Sequence, residues 1–203
     1  MAAPSHRENR GDWFDVAAHM RQKAAHRPRD ARLLHPAALR LAGRVKGRRT
    51  LDVDCGEGSL ACVLASRGAL ALGIDPSLDL IRAAERSVAR ERPERRPEFR
   101  VADLAAPSDL PPGPFDLITA LHVLDLEPKP VRALHALVRL LHPRGRIVLG
   151  GAHPLARERG AGLAALLHSL REAGLRVVDG LEPGGDGDSD PLFLLLLAAR
   201  ARV

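Results

Sequence analysis

The chain has 203 residues, a mass of 21.9 kDa and a formal charge of +6, enough for one domain with at most a small lid. It has no tyrosine and five aromatic residues, Trp13, Phe14, Phe99, Phe115 and Phe193. That composition excludes chemistry needing a phenol and disfavours a base-stacking nucleic-acid platform. Residues 1–50 hold 12 basic and 4 acidic side chains, a net +8, and the other 153 residues hold 19 and 21, a net −2. The positive charge thus belongs to an N-terminal segment attached to a near-neutral body. Cys55 and Cys62 are the two thiols, too few for a disulfide scaffold or a cysteine metal site, so no metal is expected. The first residues do not read as a secretory signal. The longest apolar run, Leu192 to Ala199, is eight residues, too short to span a membrane as a helix. A cytoplasmic protein without membrane contact is expected.

In chain order, the pattern predicts irregular structure to residue 11, a helix over Asp12–Ala25 and, beyond Pro28, a second over Arg29–Ala42. Residues 1–44 are read as a basic helical segment and possible lid, residues 45–203 as the main domain. From Thr50 short apolar runs alternate with helical periodicity. Strands are predicted at Thr50–Cys55, Ala69–Asp75, Glu98–Asp103, Phe115–Leu121 and Arg146–Gly151. Helices are predicted at Ser59–Ser66, Ser77–Arg90, Pro130–Leu141 and Leu163–Ala173, the last ended by Gly174 as a C-terminal cap. Two final strands, Leu175–Leu181 and Pro191–Val203, flank the loop GGDGDSD with no crossover helix between them. The order predicts an α/β, Rossmann-like doubly wound sheet, mostly parallel with an antiparallel last strand and helices on both faces.

The ligand crevice of such a sheet lies outside the C-terminal ends of its strands. There the chain places Asp52-Val53-Asp54-Cys55-Gly56-Glu57-Gly58 between the first strand and its helix. Glycines at this turn let backbone and ligand approach closely. Asp75 ends the second strand, 21 positions after Asp54, where a carboxylate accepts both hydroxyl hydrogens of a ribose.

These residues, together with GIDPS, VADL, FDLITALHVLDLEP and LLHPRGRIVL in that order, resemble the class I S-adenosylmethionine-dependent methyltransferases over roughly residues 45–150. The resemblance implies S-adenosyl-L-methionine as cofactor. It places Asp52, Asp54, Cys55, Gly56 and Gly58 around the methionine moiety and Asp75 on the ribose, with Pro76 and Ser77 beside the adenosine. Asp103 would meet the adenine amino group, Ala102 and Leu104 flank the ring, and Ala120 and Leu121 line the cleft floor. One position departs from the family: Asp54 stands where the first glycine is usual. Either its side chain crowds the cofactor, or it points away and bonds to loop amides. A nicotinamide-binding Rossmann enzyme is the rival, since Gly56, Gly58 and Ala61 satisfy a GxGxxA spacing. The later motifs and the antiparallel ending decide against it.

Methyl transfer needs alignment and exclusion of water more than a dedicated catalytic group. His122 after the fourth strand and His153 after the fifth are the candidate bases. His19, His26 and His35 fall in the N-terminal helices with no metal-like grouping. The expected acceptor is a small molecule, an anionic one suiting the +8 segment. RNA is the less favoured acceptor, and a non-catalytic subunit that binds a protein partner through its N-terminal helices stays open.

Overall fold

The computed structural model describes residues 32–91, 95–106, 108–124, 130–152, 163–183 and 193–201. A helix over residues 32–42, α1, comes first. Then follow β1 (Arg49–Val53), α2 (Ser59–Ser66), β2 (Leu70–Asp75), α3 (Leu78–Glu91), β3 (Glu98–Val101) and β4 (Phe115–Leu121). The chain continues through α4 (Pro130–Leu140), β5 (Leu141–Ala152), α5 (Leu163–Glu172), β6 (Leu175–Leu181) and β7 (Phe193–Arg200). The predicted helix at Asp12–Ala25, His153 and the GGDGDSD loop lie outside the described residues.

The seven strands form one sheet in the order β3-β2-β1-β4-β5-β7-β6. β1 to β5 run parallel, and β7 inserts antiparallel between β5 and β6. This is the mostly parallel, Rossmann-like sheet with an antiparallel last strand that the sequence predicts. The strand order reverses at β1 and β4, so their C-terminal ends open the crevice such sheets use for ligands.

Two apolar layers sandwich the sheet, because successive strand residues point to opposite faces. On one face Leu51, Val53, Ile74, Ile118 and Ile147 meet Leu134 and Leu137 of α4 and Leu170 of α5. On the other, Ala71, Leu117, Val148 and Leu195 meet Leu60 and Leu64 of α2 and Leu34, Ala38 and Leu41 of α1. The part of the predicted N-terminal segment that α1 represents is therefore packed on the flank of the sheet. Gly43, at φ 65, ends that helix by donating its N–H to the Leu39 carbonyl at 3.2 Å, a left-handed cap. α3 lies on the α2 face, since Ala84 and Phe99 both close on Gly58 at the start of α2. Among the described residues the α4/α5 face thus has no third helix over β2 and β3, and those between β3 and β4 form turns only.

Several strand boundaries shift, and β1 spans Arg49–Val53 rather than Thr50–Cys55. β5 begins at Leu141, directly after α4 and five residues before the predicted start. Pairing with β4 jumps from Phe115↔Leu141 to Leu117↔Arg146. The irregularity is tight at Gly145, where an added Cβ would meet the Phe115 carbonyl oxygen at 2.8 Å. β3 is short, ending at Val101, because the chain turns away after Ala102 donates to the Asp75 carbonyl at 3.2 Å.

Candidate functional site

At the C-terminal edge of β1 the chain makes three left-handed residues: Asp54 at φ 63, Gly56 at φ 58 and Gly58 at φ 79. Aspartate is one of the few side chains that tolerate this region. Asp54 therefore keeps the backbone path a glycine would take, and its half-buried side chain is the one departure. Cys55 holds the turn to β2 by donating its N–H to the Ile74 carbonyl at 2.9 Å.

Asp75 knits this turn to the next. Its side chain is buried, 1% exposed. Oδ2 accepts the Gly56 N–H and Oδ1 the Ser77 N–H, each at 2.9 Å. These two backbone donors fix the rotamer of the carboxylate. Ser77 opens α3, its Oγ accepting the Leu80 N–H at 3.4 Å, an N-cap arrangement. After β3, the Asp103 side chain accepts the Ala105 N–H at 2.9 Å, an Asx turn that sets the carboxylate beside Ala102 and Leu104.

Asp52 lies deeper. It is 4% exposed and accepts the Thr119 hydroxyl proton at 2.7 Å from the paired position on β4. Thr119 is thus a site residue that the sequence reading passed over. Its signal was a polar side chain in the apolar run FDLITAL. Phe99 is another. A Cβ on Gly58 would stand 2.4 Å from Phe99 Cζ, and one on Gly73 would stand 2.8 Å from Phe99 Cδ1 and 2.9 Å from Cys55 Sγ. Gly58 is therefore needed for packing the Phe99 ring, besides any ligand approach the motif implies.

On β4, Ala120 is buried and Leu121 half-buried at the strand end. His122 follows at φ 64, donating its N–H to the Gly150 carbonyl at 2.6 Å. A left-handed histidine held this way is a strained position of the kind that collects at functional sites. Its ring meets Phe193 edge-on, with centroids 6.2 Å apart. His35 of α1 joins it. Burial lowers the His35 pKa, and the neighbouring His122 lowers it further by repelling a second positive charge. His35 lies in the N-terminal helix where the sequence placed it, and helix packing brings it near His122.

A lowered histidine pKa has a definite linkage sign. The unfolded chain takes up a proton near pH 6.5 while folded His35 resists it, so stability is full above that pH. Stability then falls as pH drops from about 6.5 towards the folded pKa. We expect urea midpoints measured from pH 8 to pH 5 to decline, and His35→Gln to flatten the decline. An unchanged slope in that variant would contradict the assignment.

Comparison with known proteins agrees with this geometry. A model of a methyltransferase-domain family matches residues 51–149. The ubiquinone biosynthesis O-methyltransferase of Alkalilimnicola ehrlichii is 38% identical over 106 residues, covering 52% of this chain and 42% of that protein. A methyltransferase from Mesorhizobium loti superposes with a TM-score of 0.68 at 21% identity, covering 81% of this chain and 96% of that one. The magnesium protoporphyrin IX methyltransferase of Synechocystis, solved with bound S-adenosylhomocysteine, gives 0.66 at 22% identity over 80% and 78% of the two chains. The chain belongs to the class I S-adenosylmethionine-dependent methyltransferase family. It spans about 42% of the length of the first O-methyltransferase relative.

Proposed function

We propose that this chain binds S-adenosylmethionine at the C-terminal edge of β1, β2 and β4 and transfers its methyl group to a small-molecule acceptor. The observation that carries the reading is Asp75, a buried carboxylate tied to the glycine turn by Gly56 and to the next helix by Ser77. Its carboxylate is of the kind that two vicinal hydroxyls donate to, since both of its oxygens are acceptors. Gly56 and Gly58 stand beside the methionine moiety with Asp52, Asp54 and Cys55. Pro76 and Ser77 flank the adenosine, and Asp103, Ala102 and Leu104 hold the adenine. Ala120 and Leu121 form the floor.

The cofactor supplies a methyl group on a positively charged sulfur. The chain's own residues align an acceptor oxygen with it and keep water out. We assign the acceptor a hydroxyl, since the ubiquinone biosynthesis O-methyltransferases among the relatives are named for oxygen methylation. His122, with neutral His35 beside it, would take the proton that the acceptor hydroxyl loses on methylation. An anionic acceptor suits the +8 of residues 1–50.

Incubation with methyl-labelled S-adenosylmethionine and a panel of hydroxy-aromatic acids tests this. Label is expected on an acceptor oxygen, and His122→Gln is expected to lower kcat about 100-fold or more with cofactor affinity unchanged. Label on nitrogen, or an unaffected variant, would overturn the base assignment. Asp54→Gly is expected to change cofactor affinity by less than about threefold, under roughly 0.7 kcal/mol, because the backbone already follows the glycine path. A tenfold gain by calorimetry would show that the Asp54 side chain crowds the cofactor.

A further inference from the structure

The opposite edge of the sheet carries a second concave surface that the methyl-transfer reading does not use. Among the described residues no helix covers β2 and β3 on the α4/α5 face, and a cleft of about 460 Å³ opens there at the N-terminal ends of β1 to β4. That volume lies within the range of small-molecule sites. Its lining holds four arginines, Arg49, Arg95, Arg96 and Arg100, against one carboxylate, Glu98. The body of the protein is near-neutral, so this is a local concentration of positive charge.

The cationic groups are of two kinds. Arg49 is fixed: its guanidinium donates to the Pro114 carbonyl at 3.0 Å and the Pro112 carbonyl at 3.3 Å, and lies 5.0 Å over the Phe115 ring. Two of its five N–H donors are used, and the remainder stay available. Arg100 pairs with Glu98 at 3.2 Å, with both side chains more than half exposed, an arrangement worth little in water and readily exchanged for a better anion. Arg95 and Arg96 are exposed, with no ion pair among the described residues. Beside these four stands an apolar wall. Leu70 is 56% exposed, and Pro112 lies across from it on the approach to β4.

We propose that this cleft binds a small organic polyphosphate of the nucleoside di- or triphosphate class. Guanidinium groups match phosphate oxygens bidentately, and Leu70 and Pro112 offer a surface to the uncharged part of the ligand. The excess of about three positive charges matches a di- or triphosphate better than a single carboxylate. Leu70 and Asp75 are the first and last residues of β2, so the cleft and the proposed cofactor site are separated by roughly 17 Å at about 3.3 Å per residue. One protein molecule therefore has room for both ligands.

Calorimetry with ATP and, separately, inorganic tripolyphosphate at low salt tests the proposal. The full chain, Asp75→Ala and Arg95→Glu/Arg96→Glu are compared, each checked for folding by circular dichroism. ATP is expected to bind wild type and Asp75→Ala alike and to lose at least tenfold in affinity in the double variant. Weakening with added salt and a smaller but measurable affinity for tripolyphosphate are also expected. Absence of ATP binding would overturn the proposal. So would binding that is lost in Asp75→Ala and kept in the arginine variant, which would place the nucleotide in the cofactor site. Tenfold tighter binding of a single-stranded RNA oligomer than of ATP, lost in the arginine variant, would also overturn it and make the cleft a nucleic-acid contact.

Discussion

Asp75→Ala is expected to lower S-adenosylmethionine affinity at least about 100-fold, a loss of roughly 2.7 kcal/mol. The same variant should unfold more easily by about 2 kcal/mol. Both effects have one origin. The carboxylate, 1% exposed, accepts the N–H groups of Gly56 and Ser77. Truncation leaves two donors with no acceptor in a place where water is largely excluded, and each such group costs about 1–3 kcal/mol. It also removes the acceptor proposed for the ribose hydroxyls and frees the glycine turn from α3. Calorimetry reads the first loss and urea unfolding the second. A variant destabilised as expected but retaining cofactor affinity would separate the structural role from the binding role and refute the ribose assignment.

Gly58→Ala should be strongly destabilising for the addition of a single methyl. Gly58 has φ 79, where an L side chain is strained, and the added Cβ would lie 2.4 Å from Phe99 Cζ. Strain of about 1 kcal/mol combines with overpacking of about 1–3 kcal/mol, because the Phe99 ring also lies against Gly73. The turn that must give way also positions Gly56 and the start of α2. Cofactor affinity is therefore expected to fall together with stability. Phe99→Ala opens the space, so in a double-mutant cycle the paired variant should be less destabilised than the sum of the two singles by more than about 1 kcal/mol. Simple additivity would mean that the Phe99 contact does not explain the glycine.

Most of the sheet was legible because β1, β2 and β4 are short, mainly apolar stretches set between helical periodicities and bounded by glycine, proline or charge. The motif residues were legible too, since Asp52, Gly56, Gly58, Asp75 and Asp103 recur at local spacings along a fixed strand order. What sequence did not reveal depends on contacts between distant segments. His35 reaches His122 only because Leu34, Ala38 and Leu41 seat α1 in the apolar layer with α2 and β7. Its own neighbours in sequence carry no sign of that. Phe99 reads as one aromatic in a charged strand until its ring is placed over Gly58. The arginine cleft lies where no helix among the described residues covers β2 and β3 on the α4/α5 face, and the run Arg95-Arg96 reads in isolation as an ordinary solvated loop. Gly145 hides the early start of β5 in the same way, since the irregular pairing it permits leaves no periodic trace.

The central claim, that the glycine turn and Asp75 form a site for S-adenosylmethionine rather than for a nicotinamide dinucleotide, is tested most directly by parallel calorimetric titration of the full chain with S-adenosylmethionine and NADH. One molecule of S-adenosylmethionine per chain is expected to bind in the micromolar range and to be weakened in Asp75→Ala, with no NADH heat that Asp75→Ala removes. Asp75-dependent binding of NADH in preference, or no affinity for S-adenosylmethionine under native conditions, would contradict it.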